Sequence, residues 1–315
     1  MARDREAVKT HPRQVRLVGV AGRHLPGVLA AALFLVARST AAADVPRRVV
    51  SLDYCADAHV LAVAAPGQLA ALSAEADAVY AWTRGRASGV PRLPRRVEAV
   101  LRLQPDLAVT TAGADEVARL LEHVGVAVLR LGYLDSLEAS FAALGRLGAA
   151  LGREGAAERV IAATRRRMAA LAARAAGQPR RPHAIYLTPS GTSTGAGTYI
   201  DALMRLAGLE NALAARGITG WYHLRIEDFA RLTEVEMVVT SFFAGRRGHR
   251  EGWRVTAHPV ARRWLAARAQ TVVPPGEWGC AGFFAVAAAE RIQEALLRRL
   301  GTGGGAPASV AGAGR

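Results

Sequence analysis

Lysine is almost missing from this chain: Lys9 is the single one among 41 basic residues, and the rest are arginine. The arginines are scattered, with no dense basic block and no interleaved aromatics on which bases could stack. The formal charge of +15 therefore does not describe a nucleic-acid binder. After residue 43 no apolar run approaches the ~20 residues that span a bilayer. Signatures of catalysis are absent too, with no Walker A loop, no HExxH, no GxSxG and no CxxC. The eight histidines never pair at metal-ligand spacing, so neither a metal site nor a cofactor is expected. An enzyme is not expected either.

What is present begins with an export signal. The first 43 residues carry seven Lys+Arg against Asp4 and Glu6, a net +5, which leaves +10 for the rest. The run LPGVLAAALFLVA (25–37) and then Ala41-Ala42-Ala43 give an apolar segment and a small-residue cleavage site. Together they read as a secretory signal cut after Ala43. No Cys follows the apolar run, so a lipid attachment point is lacking and a soluble, periplasmic product is expected. At the far end, 301–315 is Gly- and Ala-rich and reads as a disordered tail.

Between these ends, short β-rich runs alternate with helical ones, which predicts βαβ units and parallel sheets. Strands are expected over 48–52, 69–73, 106–111 and 126–131, and helices over 55–65, 97–103 and 114–124. A polar loop, 74–95, contains Trp82. Residues 137–176 show no strand, and 156–176 place Val160, Ile161, Thr164, Met168, Leu171 and Ala175 on one helical face. Alternation then resumes with strands over 183–189, 236–243 and 270–274 and helices over 198–208, 226–232, 260–269 and 284–300. The organisation expected is an N-terminal α/β lobe (44–135), a helical connector with a long backbone helix (136–178) and a C-terminal α/β lobe (179–300).

An internal echo supports two lobes of like construction. VEAVLRLQPDLAVTT (97–111) matches IEDFARLTEVEMVVTS (226–241), aligning Glu98 with Glu227 and, after one inserted residue, Thr110 with Thr240.

Candidate site residues lie in the loops. Trp221 and Tyr222 in GITGWYH, and Trp278 in GEWGCAG, sit among glycines without apolar periodicity, as cleft walls for a flat or greasy ligand would. Tyr54 and Trp82 also fall at or in loops. Arg84, Arg86, Arg92, Arg246, Arg247 and Arg250 share these regions and would favour an anionic ligand. The turn 191–197, which includes Thr192, follows a strand and opens a helix. It is either a ligand-facing turn or a plain structural one. Cys55 and Cys280 form an even pair in an oxidising compartment. They are either disulfide-bonded across the two lobes or free thiols that are buried or line the cleft.

These residues resemble the periplasmic binding proteins for ferric siderophores, haem and cobalamin. The likeness covers about 47–300 and rests on 47–73, on the unit VEAVLRLQPDLAVTT, on GAGTYIDALMRLAGLENA (195–212) and on GITGWYHLRIEDFARL (217–232). The resemblance implies two Rossmann-like lobes with parallel central sheets joined by one long helix. It implies a monomer that hands a metal chelate to an ABC permease dimer in the inner membrane, with Glu98 and Glu227 docking on permease arginines. Cobalamin-binding relatives offer a Trp six positions before each such Glu. Here Trp221 matches in lobe two, but Arg92 occupies the position in lobe one. That departure tilts the expectation to an anionic ferric chelate, with corrinoid and haem as alternatives.

Overall fold

The computed structural model describes residues 45–94, 96–112, 114–242 and 255–301. The export signal, the tail beyond Gly301 and Arg246, Arg247 and Arg250 lie outside the described residues.

Lobe one is built on β1 (Val49–Ser51), whose three residues are buried. Strands buried on both faces read as continuous apolar runs, and β4 (Leu107–Thr110) does the same. Around them lie β2 (Leu69–Ser73), β3 (Arg92–Leu93) and β5 (Val128–Arg130), in the order β3-β2-β1-β4-β5, all parallel. The crossovers hold α1 (Tyr54–Val63), α2 (Val97–Leu101) and α3 (Asp115–His123). The connector is α4 (Leu137–Leu151) and α5 (Glu154–Ala176). Ser136 caps α4 through Ala139 N, and Gly152, at φ 61°, ends it in the left-handed region that glycine adopts without strain. The 23 residues of α5 span about 34 Å at 1.5 Å per residue, enough to run the length of a small domain.

Lobe two has β6 (His183–Leu187), β7 (Thr192–Thr194), α6 (Tyr199–Leu206), β8 (Glu210–Asn211), α7 (Ala212–Ala215) and β9 (Trp221–His223). These are followed by α8 (Ile226–Arg231), β10 (Met237–Thr240), α9 (Pro259–Ala266), β11 (Ala269–Val272) and α10 (Val286–Gly301). Its main sheet is parallel in the order β11-β10-β6-β8, while β7 and β9 pair antiparallel on their own. The echo between the halves has a structural meaning. The units α2–β4 and α8–β10 hold equivalent places, each strand lying beside the first strand of its lobe.

The largest apolar cluster is shared by both lobes. It joins Val49 and Val109 of lobe one, Leu144 and Leu171 of the connector, and Met237 and Ile292 of lobe two, all 2% exposed or less. Separate clusters cover the other face of each sheet, around Ile185 and Phe229 in lobe two and around Val50 and Leu121 in lobe one. The connector face expected from periodicity packs here, with Thr164, Leu171 and Ala175 buried and Val160, Ile161 and Met168 partly so. Lobes that share a core in this way resist independent rotation.

Candidate ligand-binding cleft

In an open parallel sheet, strand order reverses at one point and leaves a crevice beyond the carboxyl ends of the flanking strands. In lobe one that point lies between β1 and β4, and Asp53 fills its base. The carboxylate caps α1, accepting from Cys55 N at 3.1 Å and Ala56 N at 2.9 Å. It also accepts from Thr110 Oγ1 at 2.9 Å, Thr111 N at 2.6 Å and Thr111 Oγ1 at 2.7 Å. Five donors hold a group that is only 2% exposed, so Asp53 is committed to holding the first turn of α1 against β4. The next two residues, Tyr54 and Cys55, therefore project from a fixed platform.

Above this platform lies a cleft of about 420 Å³, within the range of small-molecule sites. Tyr54 and Tyr133 line it from lobe one, and Tyr199 and Trp221 from lobe two. Tyr133 and Trp221 are 74% and 53% exposed, an unusual state for large aromatic rings. Tyr199 and Trp221 meet edge to face at 6.4 Å. Burial, and next the nearby Glu75 carboxylate, raises the Tyr54 phenol above its ordinary pKa, and burial raises that of Tyr199 further. Both stay protonated at neutral pH and act as hydrogen-bond donors. Among the described residues, the charged groups lining the cleft are Asp53 and Glu75.

The floor is a seam where residues 275–285 of lobe two lie against lobe one. Cys55 and Cys280 form a disulfide, which settles the alternative left open by the sequence. Tyr54 Oη donates to Gly279 O at 3.1 Å, and Tyr199 Oη donates to Trp278 O. Phe283 N donates to Ser140 Oγ at 2.8 Å. A Cβ at Gly279 would sit 2.5 Å from Tyr80 O, so only glycine permits this approach.

Behind the seam His59 is fully buried and directs Nδ1 to Cys55 O at 2.8 Å and Nε2 to Ser140 Oγ at 2.9 Å. Burial lowers the His59 pKa. A histidine beside a serine invites comparison with a hydrolase. Both residues here are 0% exposed, however, and Ser140 Oγ already accepts from Phe283 N, so no substrate can reach them.

The residues expected to bind ligand divide into two groups. Tyr54, Cys55 and Trp221 line the cleft. Trp278 does not. It is 1% exposed, with its ring edge-on to Tyr186 at 5.1 Å. Trp82 packs against Phe283 and stacks on Phe284 at 5.5 Å, while Arg86 covers it at 4.9 Å. Arg92 pairs with Asp77 at 2.8 Å, and Tyr222 directs its hydroxyl to Asp228 at 3.2 Å. Thr192 closes a turn with Thr188, pairs in β7 with His223 and does not line the cleft. At Gly195 a Cβ would fall 2.1 Å from Ile218 O, so this glycine serves backbone approach. Among the described residues no arginine lines the cleft. Sequence reasoning missed Tyr133 and Tyr199. Tyr199 carried a readable signal, since Thr198-Tyr199 repeats the cap-then-tyrosine order of Asp53-Tyr54.

Glu98 and Glu227 are exposed, each at the second position of its helix, in α2 and α8. Among the described residues no helix is long and apolar enough to cross a membrane, and no cluster of three His, Cys, Asp or Glu could hold a metal ion.

Residues 49–269 match the family model described as periplasmic binding protein. No curated protein sequence matches the chain. Among solved structures, a periplasmic haem-binding protein from Pseudomonas aeruginosa has a TM-score of 0.62 at 23% identity, over 80% of this chain and 92% of that one. A periplasmic haem-binding protein of Vibrio cholerae gives 0.62 at 18% identity, over 79% and 98%. An Fe3+-hydroxamate transport system from Saccharomonospora viridis gives 0.57 at 19% identity, over 80% and 93%. At these identities the likeness establishes the fold, two α/β lobes around parallel sheets. The matched family model establishes more: this chain belongs to the periplasmic binding protein family, whose members bind solutes and are not enzymes.

Proposed function

We propose that this protein is exported to the periplasm, captures one iron-siderophore-type metal chelate as a monomer, and delivers it to an ABC permease. The carrying observation is the cleft between the lobes, walled by Tyr54, Tyr133, Tyr199 and Trp221, two of them largely exposed. Such rings bury the apolar surface of a chelate. The named ligands of similar folds, haem and Fe3+-hydroxamate, belong to this chemical class. A flat macrocycle, haem or corrinoid, is the second reading, favoured by the exposed faces of Tyr133 and Trp221.

Tryptophan fluorescence, corrected for ligand absorption, tests the reading by titration with ferric desferrioxamine B, haemin and cyanocobalamin. Saturable one-to-one quenching by one of them is expected, weakened by Trp221→Ala. Absence of quenching by all three would refute it.

Delivery rests on Glu98 and Glu227, one exposed carboxylate per lobe on equivalent helices. Reversing both charges should abolish ATP-driven uptake by the permease in vesicles while leaving quenching intact. Undiminished uptake would remove the docking role.

A further inference from the structure

We propose that the Cys55–Cys280 disulfide, with the Tyr54 and Tyr199 hydroxyls as auxiliary clamps, is the positioning element that holds the cleft formed before any ligand arrives. The proposal rests on the cleft being the ligand site. Its physical content is a fixed separation of the two lobes at the floor.

Three observations carry it. First, the bond joins the lobes: Cys55 is the second residue of α1 in lobe one, and Cys280 follows β11 in lobe two, 225 residues away. Both half-cystines line the cleft, so the cross-link is part of the surface a ligand would meet. Second, both ends are anchored. Asp53 fixes the turn that presents Cys55 through five accepted hydrogen bonds. On the other side, Trp278 and Gly279 are gripped by Tyr199 and Tyr54, one tyrosine from each lobe, donating to successive carbonyls. Third, the apolar core continues across the lobes behind the bond, so any opening is a small rotation about that core, and the disulfide lies on the cleft side, where such a rotation parts the walls.

A covalent tie between two anchored points removes open conformations in which the walls are too far apart to touch one ligand together. The binding-competent state then makes up nearly the whole population, and affinity is not diminished by the fraction of open molecules. The oxidised protein is a preformed receptor, and the reduced protein has to close on its ligand.

The test measures lobe separation without a ligand. Spin labels are placed at Arg102 in lobe one and Arg231 in lobe two, and their distance distribution is recorded in three states: oxidised, reduced with a dithiol, and re-bridged by a single methylene between the two sulfurs. We expect a narrow distribution when oxidised, a broader and longer one when reduced, and recovery with the methylene bridge, which restores the tie without the redox chemistry. The dissociation constant of whichever of ferric desferrioxamine B, haemin or cyanocobalamin quenches fluorescence should rise about tenfold on reduction and recover on re-bridging. Identical distributions in the oxidised and reduced protein would overturn the proposal. Failure of all three chelates to bind would sink only the functional reading, because the distances are measured without them. If reduction unfolds the chain, the double variant Tyr54→Phe/Tyr199→Phe decides the matter. With the disulfide intact its distribution should stay narrow, and broadening there would show that the hydroxyls, not the bond, hold the lobes.

Discussion

The two lobes share a topology and use it differently. Strand order β2-β1-β4-β5 in lobe one corresponds to β8-β6-β10-β11 in lobe two. The helix after the first strand starts in each case with a capped tyrosine, Tyr54 behind Asp53 and Tyr199 behind Thr198. Each of these helices also buries an aspartate, Asp57 or Asp201. Yet only lobe one turns its switch point to the cleft, through Asp53 and Thr111. The matching strand ends of lobe two, Leu187 and Thr240, are absent from the lining. Lobe two contributes instead through β9, which carries Trp221, and through the segment that follows β11. A duplicated scaffold thus supplies the platform of lobe one and Tyr199 of lobe two, while elements added to it supply Trp221 of the wall and the 275–285 seam of the floor.

The largest expected effect is at the segment that links them. Trp278→Ala removes one of the largest fully buried side chains and should cost about 3–5 kcal/mol. Because the core is continuous between lobes, urea unfolding of the variant should remain one transition. Two separated transitions would mean that the lobes are independent units after all. Next comes the unequal use of the switch points. Asp53→Ala strips a buried site of five accepted bonds and should cost about 2–4 kcal/mol, given that bonds to charged acceptors are worth more than neutral ones. Thr188→Ala, directly after β6, loses a hydroxyl that accepts from Thr192 N and should cost about 1 kcal/mol. Equal losses in urea titrations would erase the distinction between the lobes.

Much of this organisation is legible in the sequence. Apart from the four-residue α7, the helices and the buried strands β1, β4, β6 and β10 follow apolar runs and periodicity long enough to read. Strands β3, β7, β8 and β9 were not expected, because two or three residues cannot display a period. Their pairing is fixed by neighbours far along the chain, as when Ser193 meets Tyr222. Within the cleft, Tyr54 and Trp221 were readable as aromatics at the edge of loops. Trp278 was not, since its flanking glycines suggested an exposed loop. Those glycines instead allow the backbone to approach Ala81 and Tyr80, and that approach buries the indole. Trp82 sits in a loop for the same reason, as a packing partner of Phe283 and Phe284. Composition correctly marks arginine as abundant but carries no information on facing. Arg92, for example, is spent on Asp77.

The paired aspartates sharpen the comparison at smaller scale. Asp201 meets Arg205 at 3.2 Å, whereas Asp57 is held by serines, accepting from Ser73 N at 2.9 Å and Ser73 Oγ at 2.6 Å. Burial pushes the Asp57 carboxyl up from 3.8 to about 6, against the lowering effect of its serine hydrogen bonds. A raised folded-state pKa means that the folded protein keeps a proton the unfolded chain has already released. The associated stability is complete below pH 3.8 and is lost as the pH rises to about 6. Above that window the buried carboxylate costs about 3 kcal/mol. Asp57→Asn does not ionise, so its stability relative to the native chain should climb between pH 4 and pH 6 and then level off. Urea midpoints measured across that range check this, and a difference independent of pH would show that Asp57 is ionised without penalty.

The smallest effect on stability belongs to the wall itself. Trp221 is 53% exposed on the short strand β9, with Tyr199 at 6.4 Å as its aromatic neighbour. Surface substitutions of this kind usually change stability by less than about 0.5 kcal/mol. Trp221→Ala should therefore unfold with the native protein in urea while weakening chelate-induced quenching, the inverse of the pattern expected for Trp278→Ala. An indole left half in water by a fold that buries Trp278 so thoroughly is held there at a cost in apolar exposure, and a ligand that covers it gives that arrangement a purpose. If Trp221→Ala instead lowered stability as much as Trp278→Ala, β9 would be part of the scaffold, and the division between floor and wall would have to be redrawn around Tyr133 and Tyr199.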